Sequence, residues 1–147
     1  MAIMIIKSKA VVVPEVERII NYQCKNPELC WEALQGKQPG KYPEGNKRLA
    51  MIGDKSMAHA QLKKWYSSGT STEAGTTIVC TLGANSHLIM RGKQLGLDKF
   101  INPSPSQKGF VNDSLVADTV EALIGAVEMD GATKEELEEV MKRLGVL

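Results

Sequence analysis

Apolar positions along this chain recur mostly at intervals of three and four. The densest case is "VADTVEALIGAVEMDG", residues 116–131, an apolar run of several helical turns that still contains Asp118 and Glu121. It predicts a helix over 114–129, ended by Asp130-Gly131. Towards the C-terminus, Leu137, Val140, Met141 and Leu144 keep helical spacing, and Thr133 with Glu136 forms a capping box for a helix over 133–144. Near the start, Val16, Ile19 and Ile20 give a stripe to a helix beginning at Pro14, a residue suited to a first turn. A second helix follows Asn26-Pro27 through "ELCWEALQ", with Asn26 as cap. "NKRLAMIGDKSMAHAQLKKWY" predicts a long buried helix capped by Asn46, with Leu49, Ile52, Met57, Ala60 and Leu62 turned inward. Gly53 weakens that helix by about 1 kcal/mol relative to alanine, so its presence signals close backbone approach. "TTIVCTLGANSHLIMRGKQLGLDKFI" reads as two helices hinged near residues 83–86.

Between these segments the pattern breaks. "GKQPGKYPEG" and "NPSPSQKGFVND" are loops, the second expected to be mobile, and "SSGTSTEAG" is a shorter break. No alternating strand pattern follows residue 15, so the fold class is all-α. The β-branched run "MAIMIIKSKAVVV" is set apart as an N-terminal arm, 1–13, in a short strand or extended, ahead of a domain over 14–147. It is too short to span a bilayer and lacks the ordered regions of a signal peptide, so no membrane is expected.

Composition changes this picture little. A length of 147 residues with 43% hydrophobic positions suits one domain with a real core. A net charge of +1 confines any nucleic-acid surface to a local patch, and 5% aromatics argue against a base-stacking platform. Cys24, Cys30 and Cys80 fit neither a framework of bridges nor a zinc spacing. Reduced thiols in an intracellular compartment (cytoplasm, nucleus or mitochondrion) are expected.

The chemistry lies in the carboxylates. Asp118, Glu121, Gly125 and Glu128 form one polar stripe on an apolar helix. A solvated stripe is the plain reading. Against it, so apolar a helix must be largely buried, and buried carboxylates need a partner or a metal. Asp54 also follows a glycine in an apolar helix. Two such helices converging would offer hard oxygen donors to magnesium or manganese.

Longer motifs now carry a resemblance. "RLAMIGD" resembles the signature helix of the ribonuclease III family, and "ADTVEALIGAVEMDG" resembles its second acidic helix nearly letter for letter. "NSHLIMRGKQLGLDKFI" is similar to the family's intervening segment and "NPELCWEALQ" to its early helix, so the likeness covers roughly residues 14 to 145 in order. The resemblance implies a ribonuclease III endonuclease-like helical bundle. It implies a homodimer acting on double-stranded or structured RNA by two-metal phosphodiester hydrolysis, with Mg2+ or Mn2+. It carries the catalytic and metal-binding roles onto Asp54, Asp118 and Glu121. Met51 stands where the family usually has an aromatic that plugs into the second subunit, a socket that methionine fills adaptably. Two expected acids are absent: Ala50 lies one turn before Asp54, and Lys47 one turn earlier still. The double-stranded-RNA-binding domain common in the family has no counterpart in these residues, so affinity is expected to come from the nuclease dimer or a partner.

Charge placement fits RNA. Residues 37–64 hold Lys37, Lys41, Lys47, Arg48, Lys55, Lys63 and Lys64 against only Glu44 and Asp54. Lys41, Lys47, Arg48 and Lys55 are the candidate RNA-binding residues, although a basic stretch is also what a solvated face looks like. Two rival readings stay open. One is a catalytically impaired, RNA-binding or ribosome-associated subunit that kept the fold, favoured by Ala50 and Lys47. The other is a helical protein–protein module, which leaves the acidic helix unexplained. His59 and His87 receive no role.

Overall fold

Val12, Val16 and Ile20 stand one turn apart, and all three are fully buried. This stripe reaches back past Pro14, and its burial carries helix α1 (Lys9–Ile20) back to Ser8 as N-cap. Pro14 therefore sits inside the helix, where it forgoes one backbone bond, and not in its first turn. The expected extended arm is corrected accordingly over residues 9–13. The computed structural model describes residues 8–147; residues 9–13 are helical, and 1–7 lie outside the described residues.

Helix α2 (Pro27–Ala33) starts as expected, with the Asn26 side chain accepting the Glu28 amide at 3.2 Å. Helix α3 (Lys47–Ser68) runs to Gly69, whose φ of 71° ends it in the left-handed region. Helix α4 (Thr72–Leu82) begins within the expected break, because Ser71 caps it by accepting the Ala74 amide at 3.1 Å. Helix α5 (Asn85–Gln94) follows the predicted hinge. Helix α6 (Asp113–Met129) is capped by Asn112 and helix α7 (Lys134–Leu144) by the Thr133–Glu136 box.

Helix α6 is the axis. Every residue from Ala122 to Val127 is buried, and α6 packs on α2, α3, α5 and α7. Its C-terminal Asp130 holds the α1–α2 turn: the carboxylate accepts from the Tyr22 hydroxyl at 2.6 Å and from the Lys25 and Asn26 amides at 2.8 and 2.9 Å. The end of α7 is tied in similarly. Arg91 donates to the Leu144 and Arg143 carbonyls at 3.1 and 3.2 Å, and His87 meets the Gly145 carbonyl at 2.8 Å.

The two long loops are not independent. Asn102 donates its amide to the Leu34 carbonyl at 2.9 Å and accepts the Gly36 amide at 2.7 Å, forming an isolated parallel bridge. Gln38 donates to the Pro103 carbonyl at 3.0 Å, and Ile101 is fully buried. The start of the second loop is thus pinned to the first, where the sequence suggested mobility.

Helix α3 departs from its expected burial. Leu49, Met57 and Ala60 face inward, but Ile52 and Leu62 are exposed, as is Met51. Among the described residues, no helix is long and apolar enough to cross a membrane.

Candidate functional site

The site begins with two glycines. A Cβ added to Gly53 of α3 would lie 1.7 Å from the Glu121 carbonyl oxygen, and one added to Gly125 of α6 would lie 2.0 Å from the Leu49 carbonyl oxygen. The two helices touch backbone to backbone at reciprocal points, which only glycine permits. Gly53 precedes Asp54, and Gly125 lies one turn beyond Glu121. The seam therefore brings the two carboxylates together.

A buried network sets the upper end of the same seam. Asn46 is the first residue before α3, yet its side chain makes no capping bond. It donates instead to the Ala33 carbonyl at 2.8 Å and to Thr119 Oγ1 at 3.0 Å. The Thr119 hydroxyl in turn donates a hydrogen bond to the Leu115 carbonyl at 2.7 Å. Helices α2, α3 and α6 are joined there by satisfied bonds, one residue from Asp118. Sequence reasoning missed this network and placed Gly125 only in the polar stripe, without its backbone contact; the available signal was a threonine and a glycine inside an otherwise aliphatic helix.

Glu121 is half-buried. Burial pushes its carboxyl up to about 8; Asp54, within hydrogen-bonding reach, adds to the rise through that bond and its charge, and the Asp118 charge adds last. Asp118 is 25% exposed and carries Lys47 Nζ at 3.2 Å, while Asp54, 48% exposed, carries Lys55 Nζ at 3.5 Å. Beside Asp118 lies a cavity of about 250 Å³ whose polar walls include Lys37, Lys47, Ser106 and Asn112. Lower on the seam, Ser56 donates to Glu128 at 3.2 Å.

Of the four basic candidates, Lys47 and Lys55 stand on the carboxylates. Arg48 is exposed, and its charge reaches Glu32. Lys41 is elsewhere, paired with Glu28 at 2.9 Å and over the Tyr42 ring at 5.6 Å. Met51 is 73% exposed on the outer face of α3.

No family model matches the chain. Ribonuclease 3 of Vibrio atlanticus (strain LGP32) is 30% identical over 138 residues, covering 90% of this chain and 58% of that protein. The nuclease domain of ribonuclease III from Campylobacter jejuni superposes with a TM-score of 0.79 at 19% identity, covering 90% of this chain and 95% of that one. The chain belongs to the ribonuclease III family. A second relative, ribonuclease 3 of Shewanella sp. (strain MR-7), is 30% identical over 124 residues, 80% of this chain and 53% of that protein. The chain spans little more than half the length of these curated relatives, and it has the all-helical fold of the ribonuclease III nuclease domain.

Within this ribonuclease III fold, position 50 has a specific place. Ala50 is 7% exposed and belongs to the main apolar core, one turn before Asp54. The inner face of α3 thus contributes one carboxylate, and the lysine above it is bonded to an acid of α6.

Proposed function

We propose that this domain is a divalent-metal-dependent endoribonuclease for double-stranded or structured RNA, acting as a homodimer in an intracellular compartment. The observation that carries this reading is the contact of Asp54 with Glu121 across the glycine seam. Two carboxylates pressed together in a half-buried place either share a proton or hold a cation between them.

The donor set fits one hard dication, magnesium or manganese, completed by waters. Among the described residues, no group of three histidine, cysteine or acidic side chains is gathered closely enough to hold a metal. Asp118 would join Asp54 and Glu121 only by releasing Lys47, so support for the family's two-metal arrangement is weaker. A cation held there by Asp54 and Glu121 would supply a more acidic bound water and offset charge on the phosphate. The protein's own groups do the rest. Asp54 and Glu121 hold their positions through the rigid seam, Asn46 and Thr119 fix the helix that carries Asp118, and Lys47, Arg48 and Lys55 offer charge to phosphate oxygens. Exposed Met51, with Ile52 beside it, supplies the apolar contact for a second subunit.

The test is Glu121→Gln, which keeps shape and removes the group that a cation would need ionised. Cleavage of duplex RNA in magnesium should fall at least about a hundredfold with an unchanged melting profile; wild-type cutting by the variant rejects the assignment. Sedimentation should give twice the chain mass, and a monomer unchanged by RNA rejects the dimer. The second reading, a non-catalytic RNA-binding subunit, is favoured by the Lys47–Asp118 pair, which neutralises an acid the reaction would use. It predicts RNA binding with no cutting at any magnesium concentration.

A further inference from the structure

We propose that a lysine-lined groove between α3 and α7 binds the phosphate backbone of RNA beyond the carboxylates; this rests on the RNA reading above and adds a second contact surface to it. The groove encloses about 610 Å³. Lys63, Lys64 and Tyr66 enter it from α3, and Lys134, Glu138 and Lys142 from α7. Glu138 is the one acid lining it, and it lies 3.8 Å from Lys134. Among the described residues, Lys63, Lys64 and Lys142 belong to no ion pair.

This separates the groove from the ion-paired lysines elsewhere on the molecule. Lys9 and Lys41 share Glu28, Lys47 stands on Asp118, and Lys93 on Asp113. Four cations gathered in one concavity with a single counter-charge repel one another and focus a positive potential there, and an anion relieves both effects.

Spacing favours a strand over a single phosphate group. Lys134 and Lys142 are about 12 Å apart along the α7 axis, and Lys63 and Ser67 are about 14 and 20 Å along α3 from Asp54. A lone phosphate is met by donors converging on one point. A nucleic-acid backbone presents charges in series, which suits cations strung along two helices. A second cavity of about 300 Å³ continues the same seam towards the carboxylates; it shares Lys63, Lys134 and Glu138 with the groove and includes Ser56, His59 and Glu128. Tyr66, 79% exposed at the outer end, adds a hydroxyl and a ring face. Such contacts hold RNA by its backbone, without reading sequence.

The experiment is binding of a labelled duplex RNA by fluorescence anisotropy in chelator, so that no cutting occurs. Lys63→Glu with Lys142→Glu should weaken the affinity at least about tenfold at 0.1 M salt and lower the slope of log affinity against log salt by about two. Lys63→Gln with Lys142→Gln is the milder pair in case the reversals disturb folding, and should lower the slope similarly. Arg18→Glu with Lys25→Glu makes the same charge change on the α1 side and should do little. Unchanged affinity and slope in both groove variants overturns the inference, as does an equal loss in the α1-side variant. Loss of tripolyphosphate binding with RNA binding intact also overturns it. RNA bound through the groove but never cut in magnesium rejects the nuclease reading and leaves this one standing. RNA cut normally with groove variants indifferent does the reverse, and a wild-type protein that binds no RNA rejects both.

Discussion

Helices α3 and α6 meet at the carboxylates, yet they are held on different terms. Helix α6 is buried along most of its length, so its position follows from packing, and its acids escape only where the wall of the core opens. Helix α3 is longer and buries one face. Its outer face carries Met51, Leu62 and Tyr66 to solvent, and its first turn puts Lys47 over an acid of the other helix. The core fixes where Asp118 and Glu121 can be. What surrounds them electrostatically is set by α3. A site of this construction can lose or gain charge on the α3 side without unbuilding the fold, and Lys47 and Ala50 are where that freedom shows.

The largest effect should come from closing the seam that joins the two helices. Gly53→Ala and Gly125→Ala each drive a methyl into a backbone carbonyl of the other helix. Each should cost about 3 kcal/mol or more, despite the better helix propensity of alanine. Urea unfolding measures it. A loss below 1 kcal/mol in either variant would mean that the helices part easily and that the seam does not position the acids.

Next in size is Ala50→Glu, which places an acid on the buried face of α3. Without divalent metal, a carboxylate introduced at a position 7% exposed should lower stability by about 2 kcal/mol. With magnesium or manganese the loss should shrink as metal concentration rises, because the cation binds the folded form. Adding Lys47→Glu removes the ammonium that would neutralise the new acid and should enlarge the metal response. Melting temperatures that ignore metal in both variants would show that position 50 does not face the carboxylates.

Why α6 was legible in the sequence and α3 less so follows from the same contrast. A helix buried almost all round writes its environment into nearly every position, and its acids stand out against Val120, Leu123 and Ile124. The local caps at Asn26 and Thr133 were legible too, since each bond spans two or three residues. Helix α3 faces core on one side and solvent on the other, and Ile52 and Leu62 obey neither rule, so their exposure had no signature. The start of α1 was misplaced because Pro14 is a strong local signal, overridden by a stripe continuing to Val12. Asn46 looked like a cap because asparagine before a helix usually is one. Its bonds to Ala33 and Thr119 cross the fold, as do those of Asp130 to Tyr22 and of Asn102 to the first loop, and no local pattern records them. The lysine groove is assembled from α3 and α7, far apart in the chain, so neither half announced it.

A charge cluster outside both helices sets the scale for surface electrostatics. Glu28 receives Lys9, Tyr42 and Lys41, whose hydrogen bonds hold its carboxyl down at about 2. Its folded-state value lies below the ordinary 4.5, so it stabilises the fold at and above about pH 4.5. That contribution is lost as pH falls towards 2. Glu28→Gln should cost about 1 kcal/mol at pH 7, discounted for partial exposure, and little at pH 2. A cost that stays constant across this range would assign the effect to packing.

The smallest change in stability should come from Lys47→Gln, and it divides the two helices most sharply. The Lys47–Asp118 pair is 3.2 Å long, but its lysine is more than half exposed, so removing it should alter unfolding by less than about 0.5 kcal/mol. Its effect on the site should be larger. With the ammonium gone, Asp118 no longer has a counter-ion and adds its charge to Asp54 and Glu121, a more favourable place for a dication. Manganese should bind several-fold more tightly, measured by calorimetry, and Lys47→Arg should restore weak binding. If Lys47→Gln destabilises the fold as much as a core substitution does, α3 is held by its charges and the contrast fails. If stability and manganese affinity are both unmoved, Asp118 belongs to the surface of α6 and not to the site.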